Sequence, residues 1–427
     1  MKQQEKLGLK ELVAMGVGGM VGGGIFSVLG LSVSVSGHAA PIAFVFGGII
    51  AFITGLSYIK LGLHFHSDGG SFTYLEHAFK NKNIGGIGGW LLIAGYIGTM
   101  ALYSYTFGAY GNAMLGLTNT WIQNVLGSIV LLIFLGINLY GVKAAGNTED
   151  LIVFVKVLIL MFFAVAGFFY VKSDHLLPVF NHGFSNVLMG ATLIFVAYEG
   201  FELIPNAVNE MKDPQKNLRK GIIYSIVITT IIYILVSLVA VGNLTPIEIV
   251  KYKEYALAVA AKPFLGQTGF LLIGLGAILS TASAINATLF GTARLSMVMA
   301  QEKELPKIFS FKERTKDIPY VSLLIITGIT LIFVNTANLT IISSFASSTF
   351  LLIFVAINLS AIKLFRKIGI NIFIPLTGTL LAFLSWSVLI IYLSKTDFKS
   401  FIYLGAFYLL IIIMELIFSE RKILKQK

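Results

Sequence analysis

Cysteine is absent from the 427 residues, which excludes disulfides and thiolate metal sites. Charge is scarce: Asp, Glu, Lys and Arg make up 12% of the chain, against about 25% in soluble domains. The apolar–polar alternation over about ten residues that a porin-like barrel needs is missing. The six histidines show no metal-ligand spacing, so neither a metal nor another cofactor is expected. No nucleophile–base pair stands out among the few polar residues of the apolar segments, which argues against an enzyme. A dinucleotide fingerprint does not close either, because Gly22-x-Gly24 runs on to Ser27 and no predicted strand precedes it. A basic patch interleaved with aromatics is also lacking, so the net charge of +11 does not point to nucleic acid.

What the chain does have is hydrophobicity: 56% of residues are hydrophobic and the mean hydropathy is +0.87. This composition describes an all-α integral membrane protein. Windows of about 20 apolar residues predict about twelve spans, near Leu9–Ser36, Pro41–Phe65, Ile84–Leu115, Trp121–Tyr140, Leu151–Val171, Val187–Met211, Gly221–Gly242, Gly266–Ala300, Tyr320–Val334, Ile341–Phe365, Ile372–Leu393 and Phe401–Phe418. The first is long, glycine-laced and without a small-residue cleavage site, so it reads as a retained span rather than a signal peptide. Most of the 31 Lys and Arg then fall on one side, among them Lys6, Lys10, Lys60, Lys212, Arg219, Arg294, Lys307 and Arg366. Lys172, Lys251, Lys253, Lys262, Lys395 and Lys399 fall on the other, and Lys156 lies inside a span. A bias of this kind over short loops predicts a multi-pass protein of the cytoplasmic (inner) membrane with both termini cytoplasmic. Anionic inner-leaflet lipid accounts for the basic balance.

Two spans carry interruptions. Gly16, Gly18, Gly19, Gly22, Gly23 and Gly24 crowd the first, where each interior glycine costs roughly 1 kcal/mol against alanine. The sixth contains Phe195-Val196-Ala197-Tyr198-Glu199-Gly200-Phe201-Glu202. Irregular backbone at membrane depth is tolerated only where it is buried in protein or lines a polar cavity, so two broken helices predict a binding site of the kind found in carriers built from inverted repeats. The spacing of the interruptions leaves five spans per half, and an odd number inverts the second copy. The chain is therefore expected to be a single membrane domain of 1–427, with repeats over 1–175 and 176–367 and two added spans in 368–427. Thr245–Lys262 is too short and charged to cross and reads as a capping loop over the outer vestibule. Ser67–His77 reads as a turn into a short amphipathic helix.

These motifs resemble the amino acid–polyamine–organocation transporters. Val21-Gly22-Gly23-Gly24-Ile25-Phe26 looks like that family's unwound first helix, and Tyr198-Glu199-Gly200-Phe201-Glu202 like its sixth-helix break. Ser67-Asp68-Gly69-Gly70-Ser71-Phe72-Thr73-Tyr74, Asn138-Leu139-Tyr140-Gly141-Val142-Lys143, Glu210-Met211-Lys212-Asp213-Pro214 and Asn286…Arg294…Glu304-Leu305-Pro306 follow in the same order. Lys156 is similar to the fifth-helix lysine of sodium-independent, proton-coupled members. The resemblance implies a leucine-transporter-type 5+5 inverted repeat, alternating access, and an amino acid carried with a proton; an exchanger or a polyamine carrier of the same fold is the alternative. A channel would need a continuous polar stripe, whereas polarity here gathers near the two breaks.

On this reading the amides of Val21, Gly22, Gly23, Gly24 and Ile25, at a helix N-terminus, suit a carboxylate. The carbonyls of Phe195, Val196, Ala197, Tyr198 and Glu199 suit an ammonium. Tyr96, Thr99, Ser347 and Ser348 are candidates for the side-chain pocket, and Tyr198 with Phe195 for a lid. Lys156, a charge near mid-span, is the candidate for proton coupling, with carbonyls of Gly18 and Gly19 and hydroxyls of Ser280 or Ser283 as its expected partners. The Glu199 side chain either takes an amine or shares in proton movement. Glu202 is expected to brace the inner half-helix or the cytoplasmic gate.

Overall fold

The computed structural model describes residues 6–67, 69–79, 82–141, 146–313 and 318–418. Asp68, Val142 and Lys143 of the quoted motifs, both extreme termini, and Lys2, Lys80, Arg314, Lys316, Arg421, Lys422, Lys425 and Lys427 lie outside them. Among the described residues everything regular is helical, because long apolar runs can satisfy their own backbone only within a helix. In chain order the helices are α1 Leu9–Met20, α2 Gly24–Ser36, α3 Ala40–Phe65, α4 Gly70–Ala78, α5 Lys82–Met114, α6 Thr120–Tyr140, α7 Gly146–Phe168, α8 Phe184–Leu193, α9 Pro214–Asn243, α10 Pro246–Lys251, α11 Ala256–Ala260, α12 Lys262–Gln301, α13 Tyr320–Thr336, α14 Leu339–Ile368, α15 Phe373–Thr396 and α16 Phe398–Phe418.

Among the described residues nine helical stretches are long and apolar enough to cross a membrane, ten when α8 and the segment after it are counted as one broken span. Gly37, at φ 58°, reverses the chain between α2 and α3. Phe184–Leu193 and Phe195–Glu210 form a pair bent by 56°. The second arm of that pair differs from the expected short α-helix: it is two 3-10 stretches, Phe195–Tyr198 and Phe201–Glu210. Pro205 inside it has no amide to donate, and the tighter i to i+3 pattern accommodates the loss. α12 also starts earlier than its apolar run, at Lys262, with a bend at Gly266 (φ 60°, ψ −149°).

Burial ranks the helices. In the apolar window of α5 78% of residues are buried, against 22% in α15 and in α16, so α5 is central and the last two helices are peripheral. α5 packs on α12 and α14, α3 on α9, and α1 on α9. The peripheral helices turn Phe154, Leu158, Phe162, Leu380, Phe383 and Leu409 outward, as lipid allows and water would not. Polar clamps join the inner helices: Asn358 on α14 accepts from Ser57 (2.7 Å) and donates to Thr54 (3.0 Å), both on α3. At the basic end the chain entering α1 pairs with the exit of the sixth span, through Leu7 N to Glu210 O and Lys212 N to Leu7 O, both 2.8 Å. At the opposite end α10 and α11 fill the Thr245–Lys262 loop. Thr245 caps α10, accepting from the Glu248 amide (3.4 Å) while Glu248 Oε2 accepts the Thr245 amide (2.9 Å); that amide bond holds the exposed Glu248 carboxyl below its usual range.

The two broken spans touch through glycine. A Cβ on Gly200 would stand 2.6 Å from both Gly19 C and Met20 N, and Gly200 sits at φ 128°, a conformation L side chains rarely adopt. Substituting Gly200→Ala therefore combines a backbone clash with roughly 1–3 kcal/mol of strain. A marked fall in the melting temperature of the detergent-solubilised protein is expected, while Gly136→Ala, inside α6 where a Cβ meets nothing within 4 Å, does not lower it.

Candidate functional site

The first break begins where glycines stop holding α1 together, at Met20, and ends where α2 restarts at Gly24. Breaking a helix strands carbonyls, and at this depth water is not there to receive them. Each is met by a side chain from elsewhere. Lys156 Nζ on α7 donates to Gly18 O at 2.8 Å. Tyr103 on α5 donates to Gly19 O at 3.3 Å. Tyr233 on α9 lies 2.6 Å from Met20 O. Ser280 on α12 reaches Val21 O at 2.5 Å and also Gly22 O, and Ser27 donates to Gly23 O at 2.6 Å. α7 comes this close because Gly18 leaves room for Val153, one turn before the lysine, which an added Cβ would meet at 2.8 Å.

The amides are treated differently. Among the described residues, no acceptor meets the N–H groups of Gly22 and Gly23. The first-turn amides of α2 have no intrahelical partner by construction. The break therefore presents donors and hides acceptors, the polarity that a carboxylate needs.

The second break is closed by serines and by its own tight turns. Leu193 O accepts from Ser343 (2.7 Å) and Ser347 (2.9 Å) of α14, and Ser347 in turn accepts from Val196 N (3.0 Å). Ile194 O takes the Ala197 amide (2.9 Å), Val196 O the Glu199 amide (3.2 Å) and Ala197 O the Tyr233 hydroxyl (2.9 Å). Tyr233 thus spans both breaks with one oxygen. Gly24 makes that possible, because a Cβ there would stand 2.9 Å from Ala197 Cα.

Where the breaks meet, one face of α5 supplies Tyr96, Thr99 and Tyr103. The Tyr103 ring lies against Gly22 and Gly23, leaving no space for a Cβ on either. Thr99 donates to Glu199 Oε2. Glu202 Oε2 accepts from Gly200 N at 2.6 Å, while Glu202 Oε1 is buried without a hydrogen bond. Tyr96, packed on Phe350 with ring centroids 5.6 Å apart, faces both carboxylates. Val21, Ile25, Phe195, Val196 and Ala197 are buried around the same point.

Several side chains stand elsewhere than the sequence led us to expect. Tyr198 turns into α3, where its hydroxyl donates to Phe44 O (2.5 Å) and its ring fills the space beside Gly47, so it packs a helix contact rather than covering the break. Ser348 points to the opposite face of α14 and pairs with Tyr408 of α16 at 2.8 Å. Ser280 serves Val21 and Gly22 rather than Lys156, and Gly19 O goes to Tyr103. Ser283 makes no hydrogen bond with Lys156 among the described residues. Glu202 caps the Gly200 amide at the start of the Phe201–Glu210 stretch, in keeping with a brace on the inner half-helix. Tyr233, Tyr103, Ser343 and Ser27 were not singled out from sequence. Tyr103 was within reach, since Tyr96, Thr99 and Tyr103 follow the i, i+3, i+7 spacing of one helix face. A cavity of about 580 Å³ lies away from the breaks, under α10 and α11, lined by Leu117, Glu248, Tyr252, Tyr255, Lys262 and Phe270.

Two interrupted spans in backbone contact, inside a bundle of apolar helices, define a multi-pass membrane transporter rather than an enzyme. Comparison with known proteins makes this specific: residues 7–419 match the family described as amino acid permease, and the chain belongs to that family. It is 34% identical over 369 residues to the uncharacterized protein MJ0609 of Methanocaldococcus jannaschii, covering 86% of this chain and 84% of that protein. It is 32% identical over 385 residues to the inner membrane transport protein YbaT of Escherichia coli, covering 88% of each. Against the serine/threonine exchanger SteT of Bacillus subtilis the identity is 30% over 314 residues, covering 71% of this chain and 70% of that one.

Removing the Tyr233 hydroxyl tests whether the breaks depend on each other. Tyr233→Phe removes the one hydroxyl hydrogen that Met20 O and Ala197 O share, at about 1–3 kcal/mol for an unmet buried group. A lower melting temperature and loss of substrate uptake are expected together; wild-type behaviour in both would show that the bridge is dispensable.

Proposed function

We propose that this permease carries an amino acid across the cytoplasmic membrane by alternating access, driven by protons and indifferent to sodium. The observation that supports it best is the contact of Lys156 Nζ with Gly18 O, a cation seated at the unwound part of the first span. An ammonium there occupies the kind of position that a coupling sodium ion would need. A buried lysine can also give up its proton as the surroundings change, because burial disfavours the charged form. Loss of that proton removes the positive charge and weakens the charge-assisted bond to Gly18 O, which lets the first break rearrange.

The cargo reading rests on the open amides of Gly22 and Gly23 and the first turn of α2, which suit a carboxylate. Relatives differ in the cargo their names give: one of Bacillus subtilis is named a methylthioribose transporter, whereas several others are named for amino acids. The name of SteT specifies serine and threonine, that of BcaP of Bacillus subtilis branched-chain amino acids, and those of three Arabidopsis thaliana transporters cationic ones. We assign inverted repeats to 1–175 and 176–367 and peripheral additions to 368–427. Both termini are assigned to the cytoplasm from the basic loops, and YbaT supports an inner membrane. The cavity under α10 and α11 is then an outer vestibule. An exchanger or amine carrier is the second reading, favoured by the buried side chain of Glu199.

Uptake of labelled amino acids into proteoliposomes distinguishes these. Acid outside is expected to stimulate net uptake and sodium to change nothing. Lys156→Ala is expected to lower uptake about tenfold to a hundredfold, as the loss of one charge-assisted hydrogen bond implies. Strict sodium dependence, or full proton-driven uptake without the lysine, overturns the coupling assignment.

A further inference from the structure

Most of the backbone carbonyls freed at the two breaks already have a hydrogen-bond partner in this chain. In the second break Leu193 O, Ile194 O, Val196 O and Ala197 O each hold a donor from this chain. In the first, Gly18 O through Gly23 O are covered by Lys156, Tyr103, Tyr233, Ser280 and Ser27. An ammonium placed on any of them has to share an occupied oxygen.

One acceptor at the meeting point still has capacity. An ionised carboxylate offers about four lone-pair positions, and Thr99 uses one on Glu199. Glu199 lies beside the first break: Thr99, which donates to it, shares a face of α5 with Tyr103, whose ring covers Gly22 and Gly23. Glu202 is also buried, and its Oε1 has no hydrogen bond. The charged neighbour of Glu199 is Glu202, and among the described residues no cation stands beside it. Lys156 does not fill that need, since its charged neighbour is Glu149. Buried charge without an opposite partner is costly, so the pair stays neutral unless a cation comes to meet it.

We propose that the Glu199 side chain, in place of the carbonyls of the sixth span, receives the ammonium of the substrate, with Glu202 as a positioning residue that adds negative charge behind it. This rests on the reading that the cargo is an amino acid. The substrate then lies between opposite ends of one short axis, its carboxylate on the amides of Gly22 and Gly23 and its protonated amine on Glu199. The class selected is the primary amino acid with a free ammonium. N-acylated amino acids and α-hydroxy acids of the same side chain are rejected, because they leave Glu199 unmatched.

The test uses the full chain in liposomes and begins with an amino acid that the wild type transports. If none is transported, the cargo reading fails and this assignment falls with it. The readout is the ratio of affinities for that amino acid and for the α-hydroxy acid of the same side chain. Glu199→Gln is expected to weaken amino acid binding about tenfold to a hundredfold and to collapse the ratio toward one. Thr99→Val keeps the charge and removes its orienting donor; it is expected to lower the ratio several-fold, and it tests the idea even if Glu199→Gln does not fold. Glu202→Gln should lower the ratio by less, with recovery in Glu202→Asp. Transport of the amino acid with an unchanged ratio in Glu199→Gln or in Thr99→Val overturns the assignment while leaving the amino acid permease reading intact.

Discussion

A peptide group stripped of its helical partner inside a bilayer has nowhere to turn but to other protein atoms. That constraint organises the centre of this molecule. Opening α1 at Met20 exposes a run of carbonyls, and five helices contribute a side chain to meet them: Lys156 from α7, Tyr103 from α5, Tyr233 from α9, Ser280 from α12 and Ser27 from α2. The packing of α5, α7, α9 and α12 around the first span is thus tied to hydrogen bonds that a continuous helix would never have required.

The accounting is asymmetric, and the asymmetry carries chemistry. Most acceptors at the breaks have a partner while, among the described residues, the donors of Gly22 and Gly23 have none, so the junction has a built-in preference for an anionic group at one end. Glu199 and Glu202 set the opposite preference a few residues away on the other broken span. A dipolar molecule is the natural complement to such an arrangement, in keeping with a permease of amino acids. Glycine is indispensable at the contact itself, where Gly19 and Gly200 bring two backbones together without an intervening side chain.

Much of the architecture was legible in the sequence. Hydropathy windows located the long apolar helices, and the clustered glycines and Glu199-Gly200 located both interruptions, because each signal is local. The 3-10 geometry of Phe201–Glu210 was less legible: Pro205 marks a departure from the α-helix without saying which one. Side-chain direction was harder still. Ser347 and Ser348 are neighbours in sequence, yet one secures the second break and the other pairs with Tyr408 on a peripheral helix. Tyr198 sits in the interruption by number but belongs to the α3 interface by contact.

The sequence by itself determined that the chain crosses a membrane repeatedly, that two of the crossings are broken, and that a lysine is buried in the fifth. Composition and periodicity are enough for this, since each reflects the cost of placing a given residue in hydrocarbon. Only the tertiary structure decided which partner each freed carbonyl would find and which polar groups would remain open. Those outcomes depend on the rotation and approach of helices far apart in the chain. Tyr233 shows the difference plainly: a single tyrosine in an ordinary-looking apolar helix, it joins Met20 to Ala197 because packing brings all three to one point.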